Sequence, residues 1–230
     1  MYKSFLVTAL MSVAVIAQAE TAPATAPTTT VSVPASTEPT PVVAAINTEV
    51  PGLADKLKSC VPCHSTDGNS TQGLWPKLAG QNAQYLEKQL HAFKEGPTGK
   101  RNNPVMYSFV APFTDQDIKD IAQYYAAQKT SPGTKVGPQE YALGKQIYQG
   151  GLIAKGVPSC SACHGPGGHG NAWAKFPKLA GQHADYTLAQ LKAYQSGTRQ
   201  TGPMMSTLVK SLTEEEMTAV SHYIAAMKGE

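Results

Sequence analysis

The chain has 230 residues, a formal net charge of +3 and only 15% charged residues. Residues 1–50 carry one Lys against three Glu, 51–130 carry nine basic against seven acidic, and 131–230 carry nine against six. Charge so dilute and so nearly balanced argues against strong nucleic-acid binding, which needs a concentrated basic face.

In chain order, residues 1–19 read as an export signal. Lys3 supplies the positive start, Phe5 to Ile16 an apolar stretch too short to span a bilayer comfortably, and Ala17-Gln18-Ala19 a small-residue cleavage site. Cleavage would release the chain into the periplasm, whereas an uncleaved signal would tether it to the membrane. Residues 20–50 are a Thr/Ala/Pro/Val tract without aromatic residues; it has little to bury and reads as a flexible linker.

Next comes Cys60-Val-Pro-Cys63-His64, which returns about a hundred residues later as Cys160-Ser-Ala-Cys163-His164; the two segments use all four cysteines. This is the pattern of covalent c-type haem attachment. Two thiols three positions apart can reach the two vinyl groups of one porphyrin, and the following imidazole then points at the iron. A redox dithiol would need a βαβ setting, and neither motif follows a β-branched run. A four-thiolate zinc site would have to bring together pairs that lie in separate copies of a repeat. Two motifs therefore predict two haem c groups, each bound by thioethers through Cys60 and Cys63 or Cys160 and Cys163.

The repeat extends well past the motifs. Trp75-Pro-Lys-Leu-Ala-Gly-Gln81 returns as Phe176-Pro-Lys-Leu-Ala-Gly-Gln182, Tyr85 matches Tyr186, Leu90 matches Leu191, and Gly96 matches Gly197. The boundaries this sets are 51–131 for a first haem domain, 132–138 for a short linker and 139–230 for a second. Each half reads as helical. A middle helix spans about Ala83 to Glu95 and stops at Gly96; its copy spans Ala184 to about Ser196. A final helix is capped by Thr114 with Asp115 and Asp117 in its first turn, and its copy by Thr213 with Glu216 three positions on, a capping box. Before the second motif, Glu140 to Tyr148 reads as a helix, and the N-terminal helix of the first half is less well marked. Nothing alternates with a period of two, so an all-α fold is expected.

The second iron ligand separates a carrier from an enzyme. Met106 is the lone methionine between the first motif and its final helix, and it stands seven positions before Phe113, the apolar residue preceding Thr114. The same count from Leu212 reaches Met205, with Met204 as its competitor. Both lie in polar, Pro-containing segments that read as loops. His91, His183 and His222 have no histidine at the matching position of the other half and read as surface or helix-face residues; His169, in a Gly-rich loop, is not expected to bind iron.

The order of Cys-x-x-Cys-His, Pro-Lys-Leu-Ala-Gly-Gln and a methionine before a Thr-capped helix, all duplicated over residues 52 to 230, resembles the dihaem cytochromes of the cytochrome c4 family. The resemblance implies two tandem class I cytochrome c domains, His64 and His164 as proximal ligands, and Met106 and Met205 as distal ligands. It implies that the carbonyls of Pro76 and Pro177 hold the proximal imidazoles. It further implies a periplasmic, monomeric electron carrier without substrate chemistry of its own, linking a quinol-oxidising cytochrome bc complex to a haem-copper terminal oxidase. The alternatives are the cytochrome subunit of a periplasmic dehydrogenase and a dihaem peroxidase, which would need an openable iron. Ser65, where the second copy has Gly165, points to a looser or more polar setting for the first haem.

Overall fold

The computed structural model describes residues 50–228. The export signal expected over 1–19, and the 20–50 tract apart from Val50, lie outside the described residues. Within them the chain is helical, and its β pairing amounts to three isolated bridges, as an all-α fold requires. The first half runs α1 (Leu53–Leu57), α2 (Val61–His64), α3 (Ala83–Lys94), α4 (Pro104–Val110) and α5 (Asp115–Ala126). The second repeats the order as α6 (Pro138–Gly150), α7 (Ser161–His164), α8 (Ala184–Ser196), α9 (Pro203–Leu208) and α10 (Glu214–Ala226).

Both final helices begin in full capping boxes. The Asp117 amide donates to Thr114 Oγ1 at 3.2 Å and the Thr114 amide to Asp117 Oδ2 at 2.9 Å; Glu216 and Thr213 repeat this at 3.2 and 2.8 Å. Each box satisfies two amides that a helix start leaves without intrahelical partners. A lysine from upstream then reaches the same carboxylate, Lys56 in the first half and Lys155, at 2.7 Å from Glu216, in the second.

The methionine segments depart from the loops expected for them. Pro104 and Pro203 each stand at the first position of a short helix, where a fixed φ suits helix entry and a missing N–H costs nothing. In the first half Asn103 Oδ1 also accepts from the Met106 amide at 3.0 Å. Met106 and Met205 thus occupy the same third position of α4 and α9.

The halves pack differently at their starts. In the second, α6 runs along α10, and Gly144 is the contact: a Cβ there would overlap the Ala219 carbonyl oxygen and lie 2.6 Å from Tyr223 Cβ. In the first, α1 is five residues long and buries only Leu53 and Leu57, against α5.

The repeated heptad is where the halves meet. Gln81 Nε2 donates to the Lys178 carbonyl at 2.8 Å and its Oε1 accepts from the Lys178 amide at 2.7 Å. Gln182 makes the same pair of bonds to Lys77, both at 2.9 Å. Beside them Asn82 Nδ2 donates to the Phe176 carbonyl at 2.8 Å, and in the matching position His183 Nε2 bonds the Ser70 carbonyl at 2.9 Å. His183 is therefore an interface residue, contrary to the surface role expected of it; its partner lies 113 positions away and leaves no local trace.

Candidate functional site

In each half one helical turn gathers the motif. The His64 amide donates to the Cys60 carbonyl at 3.0 Å and the His164 amide to Cys160 at 2.9 Å, so both cysteines and the histidine share one helix face. All six side chains line one cavity of about 790 Å³ between the halves, together with Met106, Met204 and Met205. The four thiols form no disulfide, and burial pushes Cys160 up to about 11 and raises Cys60 as well. Thiols held so far from their thiolates make a poor redox dithiol.

The imidazoles are oriented by backbone. His64 Nδ1 lies 2.9 Å from the Pro76 carbonyl oxygen and His164 Nδ1 lies 3.0 Å from that of Pro177. A carbonyl only accepts, so Nδ1 carries the proton and Nε2 keeps its lone pair. Burial lowers the pKa of both rings and keeps them neutral. Each is thus a cavity-lining base with one nitrogen free to bind a metal.

Two buried tyrosines flank the motifs, and the helical periodicity that puts Tyr125 on the inner face of α5 does not reveal that either phenol reaches a motif cysteine. Tyr125, from α5, places its hydroxyl against the Cys60 thiol, with no oxygen or nitrogen partner among the described residues; Tyr148, from α6, sits near Cys160 and donates to the Gly165 carbonyl at 2.8 Å. The turn after each histidine also differs. Ser65 is held at φ 65°, ψ 161°, a region other residues leave to glycine, and Gly165 occupies it at φ 78°, ψ 152°.

The family model described as "Cytochrome c" matches twice, over residues 53–128 and 141–228. A protein named cytochrome c4 from Thiocapsa roseopersicina is 42% identical over 171 residues, covering 73% of this chain and 86% of its own. The chain belongs to the cytochrome c4 family. The crystal structure of reduced recombinant cytochrome c4 from Pseudomonas stutzeri is 37% identical, with a TM-score of 0.73, covering 76% of this chain and 97% of that one. A protein named thiosulfate dehydrogenase electron acceptor, from Stutzerimonas stutzeri strain A1501, is 36% identical over 180 residues, covering 76% of this chain and 81% of its own. As a member of that family, the chain is an electron-transfer protein with two covalently bound haem c groups. Its residues fit them: an apolar cavity, two thiols on one turn per half and an imidazole lone pair in each.

Proposed function

We propose that this protein carries single electrons in the periplasm, from a quinol-oxidising cytochrome bc complex to a haem-copper terminal oxidase, and performs no substrate chemistry. Bound haem supplies a reversible one-electron couple. Residues 51–131 and 139–230 each serve one haem, and 132–138 join them. His64 and Met106 ligate one iron, His164 and Met205 the other, and Pro76 and Pro177 hold the imidazole tautomers. The observation that carries this reading is that both halves line the cavity with the same pair, a backbone-anchored neutral histidine and a methionine at the third position of a Pro-started helix. A site closed on both sides by protein ligands leaves no position for peroxide. Met205 is favoured over Met204 because it packs on the second core, whereas Met204 is 54% exposed.

The relative named for accepting electrons from thiosulfate dehydrogenase supports a second donor, a periplasmic dehydrogenase, with the chain a carrier in either case.

The test is a pair of measurements on the purified protein. Ferric protein should show the far-red methionine-to-iron band at an intensity for two haems, with Met106→Ala and Met205→Ala each removing half and Met204→Ala removing none. Mixed with membranes containing a terminal oxidase, the reduced protein should support salt-sensitive oxygen uptake. High-spin iron at neutral pH with rapid peroxide turnover would replace the carrier by the peroxidase.

A further inference from the structure

The duplication gives the cavity two equivalent edges, each built from the middle helix of one half and the loop after the motif of the other. On one edge Asn82, at the start of α3, donates to the Phe176 carbonyl at 2.8 Å and ties the loop of residues 171–176 to the first half. On the other His183, at the start of α8, bonds the Ser70 carbonyl, and a Cβ at Gly73 would run into Asp185 Oδ2. Between the edges the buried Arg101 and Arg199 pair in an antiparallel bridge, and the Lys100 carbonyl accepts from the Gln200 amide at 2.7 Å.

The edges match in backbone and differ in charge. Lys88 on α3, Lys100 and Lys175 are all exposed, and none makes an ion pair among the described residues. The heptad register matches Lys88 to Ala189 and Lys175 to Leu74, and the arginine bridge matches Lys100 to Thr198. Asp185 stands where the basic edge has Gln84. Glu95 Oε2 accepts from the Lys100 amide at 3.1 Å, and Glu87, the other carboxylate nearby on the chain, faces His91 instead. Part burial, then the like charges of Lys175, Arg199 and Lys100, hold the Lys88 ammonium below the ordinary lysine value, so the cations are kept close enough to repel.

A second difference falls on the same edge. Trp173 is 95% exposed, and its match on the other edge is Gln72. Its loop is fixed: Asn171 and Phe176 pair in a bridge, Asn171 Oδ1 accepts from the Ala174 amide at 2.9 Å, and Lys175 is held at φ 56°, a left-handed conformation that side chains rarely adopt. An indole presented to water is the kind of anchor that dominates protein contacts, and unpaired lysines around it steer a partner of opposite charge.

We propose that Lys88, Lys100, Lys175 and Trp173 form the docking face for an acidic redox protein with an apolar recess for the indole, and that the opposite edge is not used. This rests on the carrier reading of the chain. Lys88 and Lys175 line the cavity that holds the motif turns, and the Phe176 ring lies 6.1 Å from that of His164, so a partner seated here meets the imidazole side of the second half. An electron leaving by this edge needs a receiver with its own redox centre, which a protein has and a lipid headgroup lacks.

The experiment compares Lys88→Gln/Lys100→Gln/Lys175→Gln with a charge-matched triple, Lys119→Gln/Lys145→Gln/Lys228→Gln, whose lysines are exposed elsewhere. Haem content and both potentials are measured first, so that a change in driving force is not mistaken for one in docking. With membranes containing a terminal oxidase, the face triple should raise the concentration for half-maximal oxygen uptake about tenfold at low salt and flatten its salt dependence. The matched triple should change it less than about twofold. Trp173→Ala should raise it about fivefold with the salt dependence kept, and Trp173→Phe should restore most of the loss; an unchanged Trp173→Ala overturns the apolar recess. Ferricyanide takes one electron from the reduced protein and becomes ferrocyanide, and this stopped-flow reaction should slow about fivefold in the face triple alone. Equal effects of the two triples would show that net charge acts without a face and overturn the proposal. If the parent supports no oxygen uptake, the oxidase reading fails, and the ferricyanide comparison still decides the face. Oxygen uptake indifferent to the face triple overturns the protein partner, and binding of the parent to vesicles of phosphatidylglycerol and phosphatidylcholine, abolished in that triple, would then assign the edge to lipid.

Discussion

Both halves bury a tyrosine hydroxyl beside the first cysteine of their motif, but they bring it from opposite ends of the fold. In the second half α6 is 13 residues long and delivers Tyr148, whose hydroxyl reaches Gly165. In the first half α1 is five residues long, and the phenol comes instead from α5 as Tyr125, with no oxygen or nitrogen partner among the described residues. The position matching Tyr125, eleven after the capping threonine, is Ile224 in the second half. A duplicated fold can thus keep its binding residues in register while the packing around them is solved twice, and the first solution leaves a buried polar group and a strained Ser65.

The largest effect that would break the symmetry further is expected at Gly144. Gly144→Ala drives a methyl into Ala219 and Tyr223 and should cost about 3 kcal/mol in the second half. Denaturant unfolding monitored at each haem should then show the second half melting first, and a stability loss under 1 kcal/mol would mean that α6 simply slides. Next come the interface glutamines, where symmetry should hold. Gln81→Ala and Gln182→Ala each remove two bonds across the interface and a third to the amide of the following residue, and should each cost about 2 kcal/mol. Unequal losses in chemical denaturation would show that the halves do not share their contact evenly.

Two smaller changes probe the first half's weaknesses. Ser65→Gly should stabilise by about 1 kcal/mol, since it relieves a backbone region that only glycine occupies freely. The reverse change, Gly165→Ser, should destabilise by a like amount in thermal melts. Smallest is the tyrosine pair. Tyr148→Phe should cost about 1 kcal/mol for its lost hydrogen bond, whereas Tyr125→Phe should be close to neutral because the hydroxyl it removes meets a weakly accepting thiol and no oxygen or nitrogen among the described residues. Equal losses from the two would place an undetected partner on Tyr125.

What could be read from the residue string was what is written locally. The Thr114 and Thr213 caps need residues only three positions apart, and the motif spacing is itself the chemistry of attachment, so these and the middle helices are found where the pattern puts them. The α4 and α9 turns were missed because Pro104 and Pro203 read as loop residues until their place at a helix start is seen. The glutamines ending the repeated heptad were visible as a repeat, but their role depends on backbone 97 and 105 positions away. Arg101 and Arg199 escaped notice for a further reason. The segment between Gly96 or Gly197 and its methionine differs in length by two residues, which takes the arginines out of simple register.

The reciprocal glutamine contact has one more consequence. Gln81 of the first half completes Lys178 of the second, while Gln182 completes Lys77, so one patch serves as both donor surface and receiving surface. Such an isologous contact is what joins the subunits of a closed twofold dimer. The molecule is in this sense a homodimer written as one polypeptide. The covalent connection guarantees equal numbers of the two subunits and lets each drift in sequence, so that a symmetric assembly can hold two haems in unlike surroundings, which two copies of a single gene product could not do.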